Sequence, residues 1–90
     1  MEWNRKNANG RGHFPVVFRN GDFNPPVSIT PTSGVWATVT EMDATFGNPI
    51  YGDAFLTVQQ VVLGNGEATV EIWVDNVPVN INVRVTLFVA

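Results

Sequence analysis

The sequence has 90 residues, a formal net charge of −3 and no cysteine. That length suits one domain, and the lack of cysteine excludes disulfides, a thiolate nucleophile and cysteine-ligated zinc. Apolar residues make up 44% of the chain, enough for a small core, but charged residues make up only 14%, against roughly 25% in ordinary domains. We find no signal peptide and no apolar run approaching the roughly 20 residues of a membrane helix, so we expect no membrane insertion. The sequence leaves a virion and the cytoplasm both open as locations.

The choice of residues favours β-structure throughout. Val, Ile and Thr together number 27, whereas Leu contributes three residues. Branched Cβ atoms suit a pleated, half-buried surface and crowd a helix, and no stretch repeats its apolar residues at helical spacing. We therefore predict an all-β fold, a small antiparallel β-sandwich or barrel of six to seven strands.

The chain is expected to divide into an extended basic arm, residues 1–13, and a single β domain, residues 14–90. The arm offers little apolar surface besides Trp3 and cannot bury a core of its own. Residues 1–20 carry four basic residues and one acidic residue, whereas residues 21–90 carry one basic and seven acidic residues. The arm is therefore expected to dock on an acidic surface, such as that of a neighbouring copy.

The first half of the domain contains short extended segments separated by prolines and turns. Pro15 interrupts the first apolar run and restricts it to a sheet edge, because proline cannot donate to a β-ladder. In chain order we predict an edge strand or tether over 14–18, a turn over 20–22, an extended segment over 24–34 with a short strand at 27–30, a strand over 35–41 and a long loop over 43–53.

The second half predicts a three-stranded meander with strands at about 54–63, 67–74 and 77–89. At the first turn, two residues would pair Leu63 with Ala68, and three would pair it with Glu67; apolar matching favours the three-residue loop. Asp75-Asn76 is typical of a two-residue second turn. The resulting pairs place one continuous apolar face across the meander.

The last predicted strand is longer than its partner. Its odd-numbered residues from Val77 to Val89 are apolar without a break, whereas the middle strand begins only at Glu67. Residues 85–89 must therefore pair elsewhere, because an unpaired apolar strand end is an aggregation hazard. The candidates are the strand at 35–41 and a strand across a subunit boundary.

The sequence shows no catalytic constellation and no cofactor motif. Its only histidine, His13, lies in the arm, far from the two serines in the sequence, so we predict a protein that is not an enzyme. Asp43, Asn48 and Asp53 offer oxygen ligands for calcium, but without EF-hand spacing, so ordinary turn chemistry is favoured and no metal site is assigned. The acidic body opposes nucleic-acid binding by the cationic arm.

Two functions fit this pattern. The first is a structural module that self-associates or docks on a larger assembly, as a virion or surface component does. Its contacts would come from the arm and the last strand, through Trp3, Arg5, Lys6, Arg11, Val85, Leu87, Phe88 and Val89. The alternative is a small carbohydrate-binding module that stacks sugar rings on aromatic side chains beside polar groups, through Trp36, Tyr51, Trp73 and Asp53. Few charges and alternating Val, Asn and Thr are typical of many virion and filament proteins and of small lectins.

Overall fold

The described residues form four strands, and the last of them pairs with each of the others. The computed structural model describes residues 1–50 and 55–90, with residues 7, 9, 10 and 76–79 described by their backbone alone. All pairings are antiparallel. The strands are β1 (Glu2–Arg19), β2 (Val35–Met42), β3 (Phe55–Leu63) and β4 (Glu67–Val89).

Both long strands contribute to two sheets. On one side of β4, β1 follows it from the pair Glu2–Thr86 to the pair Arg19–Glu67. On its other side, β4 pairs first with β3 and then with β2. We call the two layers the β3 sheet (β3, residues 67–75 of β4 and 12–19 of β1) and the β2 sheet (β2, residues 82–89 of β4 and 2–5 of β1). The two three-stranded sheets pack together, which confirms the predicted all-β sandwich.

The core lies between the sheets, and β4 supplies most of it. In the β3 sheet the even-numbered residues of β4 face inward, and in the β2 sheet the odd-numbered ones do. Because side chains alternate along a strand, this change of face needs an irregular segment, and the β1–β4 register shifts between Arg5 and Gly12. The inward residues of β4, each at most 9% exposed, are Ala68, Val70, Ile72, Val74, Ile81, Val83, Val85 and Leu87.

The predicted boundary between an arm and a domain at residue 13 does not appear in the structure. Strand β1 crosses it without interruption and pairs with β4 on both sides of it. Trp3 lies opposite Val85 in the β2 sheet, and its ring centroid lies 5.8 Å from that of Phe14 in the β3 sheet. The Arg5 guanidinium lies 4.5 Å from the centroid of the same Phe14 ring, so this end of β1 closes one side of the sandwich.

The predicted meander is wrong at its second turn. The backbone continues as strand through Asp75 and Asn76, so the segments before and after this point do not pair with each other as a hairpin but belong to different sheets. The pairing of residues 85–89 is decided in favour of the chain itself, because Val35 to Val39 of β2 lie opposite Val89 to Val85. A subunit boundary is therefore not needed to pair this segment.

The first hairpin is predicted correctly in one half only. Near the turn Leu63 pairs with Ala68, the register of the two-residue turn, so the preference for a three-residue loop is wrong there. Beyond a bulge between Val58 and Gln60, the register shifts, and Leu56 pairs with Val74 and Val58 with Ile72, as predicted. The left-handed backbone at Gly66, with φ of 85°, permits the tight turn.

The segment between β1 and β2 closes one end of the core, but residues 27–30 form no strand. Asn20 organises it: its side-chain oxygen accepts a hydrogen bond from the Ile29 amide at 2.9 Å, and its own amide donates to the Gly66 carbonyl at 3.1 Å. The Ile29 side chain, 2% exposed, is thereby held over the end of the sandwich. None of the described residues belongs to a helix with the length and apolar character needed to cross a bilayer.

Candidate functional site

An exposed pair of aromatic rings stands out on the outer face of the β2 sheet. Trp36 and Phe88 are cross-strand neighbours on β2 and β4, and their ring centroids lie 5.4 Å apart with an interplanar angle of 34°. Both occupy outward positions of the alternation, and they are 67% and 50% exposed. They border a shallow groove of about 340 Å³ whose other lining residues are Gly34, Val35, Val89 and Ala90. Large apolar side chains exposed together are typical of contact surfaces.

The remainder of that outer face is polar and internally bonded. Next to the aromatic pair, Thr38 lies opposite Thr86, and beyond them Thr40 lies opposite Arg84. The Arg84 guanidinium donates hydrogen bonds of 3.0 Å to the Asn4 side-chain oxygen and to the Phe46 carbonyl. The aromatic pair is therefore an apolar patch at one end of a flat, hydroxyl-rich surface.

A second aromatic surface lies on the outer face of the β3 sheet, around Trp73. The His13 ring stacks on Trp73 with centroids 6.2 Å apart, and His13 Nδ1 lies 3.2 Å from Glu71 Oε2. A shallow groove of about 280 Å³ is lined by Trp73 with Thr57 and Gln59. An aromatic ring, a hydroxyl, an amide and a carboxylate thus lie together on this outer face.

The predicted single sugar platform does not form. Trp36 lies on the outer face of the β2 sheet and Trp73 on that of the β3 sheet. Because the inner faces of the sheets pack on each other, their outer faces point away from each other, and one ligand cannot contact both tryptophans. The other two predicted members, Tyr51 and Asp53, lie outside the described residues.

The residues predicted for assembly are dispersed by the fold. Val85 and Leu87 are fully buried in the core and offer no contact surface, whereas Val89 is half-buried against the core and lines the groove beside Phe88. Trp3 and Arg5 contact Phe14 within the chain. The remaining three are exposed: Lys6, Arg11 and Phe88.

Much of the basic charge of β1 is paired with acidic residues of β4. Arg11 Nε lies 2.7 Å from Asp75 Oδ1, and Arg19 Nε lies 3.8 Å from Glu67 Oε2. These side chains are largely exposed, so each pair contributes little stability, but together they match β1 to its own β4. The acidic surface that receives the basic segment is therefore within the same chain.

The Asp43 carboxylate is held by hydrogen bonds from its own loop. The Asp43 carboxylate accepts hydrogen bonds from the Gly47 amide at 3.0 Å and from the Thr45 amide and hydroxyl at 3.1 and 3.0 Å. The Gly47 bond, helped by those from Thr45 and Asn48, lowers the pKa of Asp43 against a smaller opposing effect of desolvation. The three bonds from Gly47 and Thr45 all end on Oδ1, and the Asn48 side chain donates to Oδ2 at 3.4 Å. Within residues 1–50 and 55–90, no three His, Cys, Asp or Glu side chains converge as a metal site would need.

Sequence reasoning missed the outer edge of β3. The strand FLTVQQVVL contains no charged residue and no proline, and Phe55 and Val62 on its outer face are 64% and 52% exposed. The absence of charge was readable in the sequence, but the position of the strand at a sheet edge was not. No family model matches the chain, and comparison with curated proteins and with solved structures found no match.

Proposed function

We propose that this protein is a non-enzymatic structural module that self-associates or docks on a larger protein assembly. The observation that carries the proposal is the exposed Trp36–Phe88 pair on an otherwise polar outer sheet face. Covering apolar surface contributes about 25 cal/mol per Å², and aromatic rings supply much of that surface at protein interfaces. Transfer of the two rings from water to the surface of a partner therefore stabilises the complex.

The size of the patch limits the form of the contact. A stable interface buries roughly 1,600 Å² in total, more than two rings provide. The contact must therefore extend over the threonine-rich remainder of the β2 sheet, or several weak contacts must act together as in a multivalent assembly. Both forms make the aromatic pair the apolar centre of the contact, with hydroxyl groups around it.

A double substitution of the pair, Trp36→Ser with Phe88→Thr, tests this function. We expect the native chain to sediment as an oligomer whose population grows with concentration, and the double variant to shift toward smaller species, because the apolar centre of a contact is gone. Sedimentation velocity over about 1 µM to 1 mM measures this shift. The control is Val17→Thr, an exposed apolar residue of the β3 sheet, which should leave the oligomer unchanged. A native chain that stays monomeric throughout contradicts self-association.

A second candidate function, binding of a sugar, is favoured by the groove beside Trp73. Sugar rings present C–H faces that stack on an indole, and Thr57, Gln59 and Glu71 offer polar partners on the same outer face. On a glycan array, Trp73→Ala should remove any binding, because the stacking ring is lost. Trp36→Ala, on the other sheet, should retain it. Absence of any bound glycan for the native chain rejects this candidate.

A further inference from the structure

The three edge strands of the sandwich are protected to different degrees. Because β4 is central in both sheets, the outer edges belong to β1, β2 and β3. Strand β1 bears a row of charged or titratable side chains and a proline, both of which discourage another strand from pairing. The end of β2 is covered by its own loop, since Met42 bridges Pro49 and the Ile50 amide donates to the Glu41 carbonyl at 3.0 Å.

Strand β3 has neither charge nor proline. Over nine residues its side chains are apolar or neutral polar. Among the described residues, β3 pairs with β4 along one edge and with no strand along the other. A neutral strand with a free edge presents a template of amides and carbonyls for a further strand. Its exposed Phe55 and Val62 would lose water contact when such a strand is added.

The bulge in β3 makes the strand complementary to itself. Phe55 and Val62 are seven residues apart, so in a regular strand they would lie on opposite faces. The bulge between Val58 and Gln60 adds one residue to the alternation, and both side chains lie on the outer face. The same shift places Leu56 and Val61 together on the inner face, where both pack against the core.

A two-fold axis between residues 58 and 59 relates two antiparallel copies of β3 and pairs residues of the same face. In this antiparallel register Phe55 of one copy lies opposite Val62 of the other, Leu56 opposite Val61, and Thr57 opposite Gln60. Outer-face residues meet outer-face residues, and inner-face residues meet inner-face residues. An isologous contact repeats each pair on both sides of its axis, which doubles the effect of each match.

We propose that β3 is the edge through which two copies of this chain pair, joining two β3 sheets into one continuous six-stranded sheet. A second copy suits this edge because two neutral strands meet without repulsion, whereas the cationic β1 edge of a second copy would find no acidic partner on β3. The proposal rests on the proposed self-association and adds a second contact to that of the aromatic pair. The aromatic pair lies on the β2 sheet, where it joins such dimers into a larger assembly.

Charge substitutions at the paired positions Thr57 and Gln60 test both the edge and its register. In the full-length chain, Thr57→Lys with Gln60→Lys places like charges opposite each other on both sides of the axis. We expect the dimer dissociation constant to rise by about tenfold or more. The matched variant, Thr57→Lys with Gln60→Glu, places opposite charges in the same positions and should keep the native dissociation constant or lower it.

Sedimentation equilibrium of the three chains gives the dissociation constants, and circular dichroism establishes that each variant keeps its sheet. A Lys/Lys variant that associates like the native chain overturns the proposal, and so does a Lys/Glu variant as dissociated as the Lys/Lys one. If Trp36→Ser with Phe88→Thr dissociates the native oligomer while the Lys/Lys variant does not, the proposed function stands and the β3 edge is rejected. A native chain that remains monomeric rejects self-association and, with it, the β3 edge.

Discussion

A chain that lacks residues 1–13 is expected to lose its cooperative unfolding transition. The deletion removes the part of β1 that runs along β4 from Glu2 opposite Thr86 to His13 opposite Trp73, which includes the whole contribution of β1 to the β2 sheet. Val83 and Val85, which are fully buried in the native chain, would be exposed on the side that β1 covers. Burial of one such side chain contributes about 1.5–3 kcal/mol, and a domain has only about 5–15 kcal/mol of stability in total. Loss of a few of these contacts is therefore enough to remove the whole free energy of unfolding.

Urea titration followed by far-ultraviolet circular dichroism measures this effect. The control is the full-length chain with Arg5→Gln and Lys6→Gln, which removes two charges but keeps the strand, and which should unfold in one transition. The control separates loss of the strand from loss of its basic charge. A truncated chain with the same midpoint as the native one would mean that residues 1–13 are a dispensable arm, contrary to the pairing of β1 with β4.

The second large effect is expected from two neighbouring residues of β4. Leu87→Ala should lower the free energy of unfolding by about 2–5 kcal/mol, because Leu87 is fully buried and its removal leaves a cavity. Phe88→Ala should lower it by less than about 1 kcal/mol, although more atoms are removed, because Phe88 is half exposed.

The difference between these two variants reports the register of β4 directly. Urea midpoints at equal slope give both free energies. Since a slip of one residue exchanges the two faces of a strand, reversed or equal costs would show that the inward face of β4 is assigned wrongly. Phe18→Ala is a further reference for a large buried side chain, because Phe18 is 1% exposed.

The alternation of apolar residues predicted which side chains of β4 face the core. It placed Ile72 and Val74 on the same face as Val83 and Val85, with a change of parity between the two groups, and these residues are buried. A two-residue hairpin turn and a bend within one continuous strand produce the same change of parity. They differ in pairing: a hairpin pairs the two halves of β4 with each other, whereas the continuous strand pairs both halves with β1. Local sequence carries little information on that choice.

The role of residues 1–13 could not be predicted, because it too depends on pairing with a strand that is distant in sequence. Their polar composition excludes a core of their own, yet it suits an edge strand whose partner supplies the apolar surface. That partner is far away in sequence: the amino group of Met1 donates a hydrogen bond of 3.1 Å to the carbonyl of Leu87. Composition predicted that the segment must be ordered by an acidic surface, but it pointed to a neighbouring copy, whereas β4 of the same chain lies beside it.

The candidate contact surfaces were predictable in part. Alternation alone placed Trp36 and Phe88 outward, because Val35 and Leu87 beside them belong inward, and their exposure agrees. It could not show that Trp73 belongs to a different sheet, since that depends on where β4 changes layer. The β3 edge depended on a bulge at Gln59, and a register shift of one residue is not visible in a sequence without its pairing partner.

The dependence of every strand on β4 sets the order in which the molecule can form during synthesis. Strands β1, β2 and β3 leave the ribosome before the segment that hydrogen-bonds to all three of them. None of the three can complete a sheet until residues 67–89 have emerged, so the nascent chain has no stable native intermediate to protect it. Folding must then close long loops, which places the rate in the millisecond-to-second range typical of non-local β proteins. Until that moment the unpaired valine-rich segments are exposed together, which favours aggregation of incomplete chains.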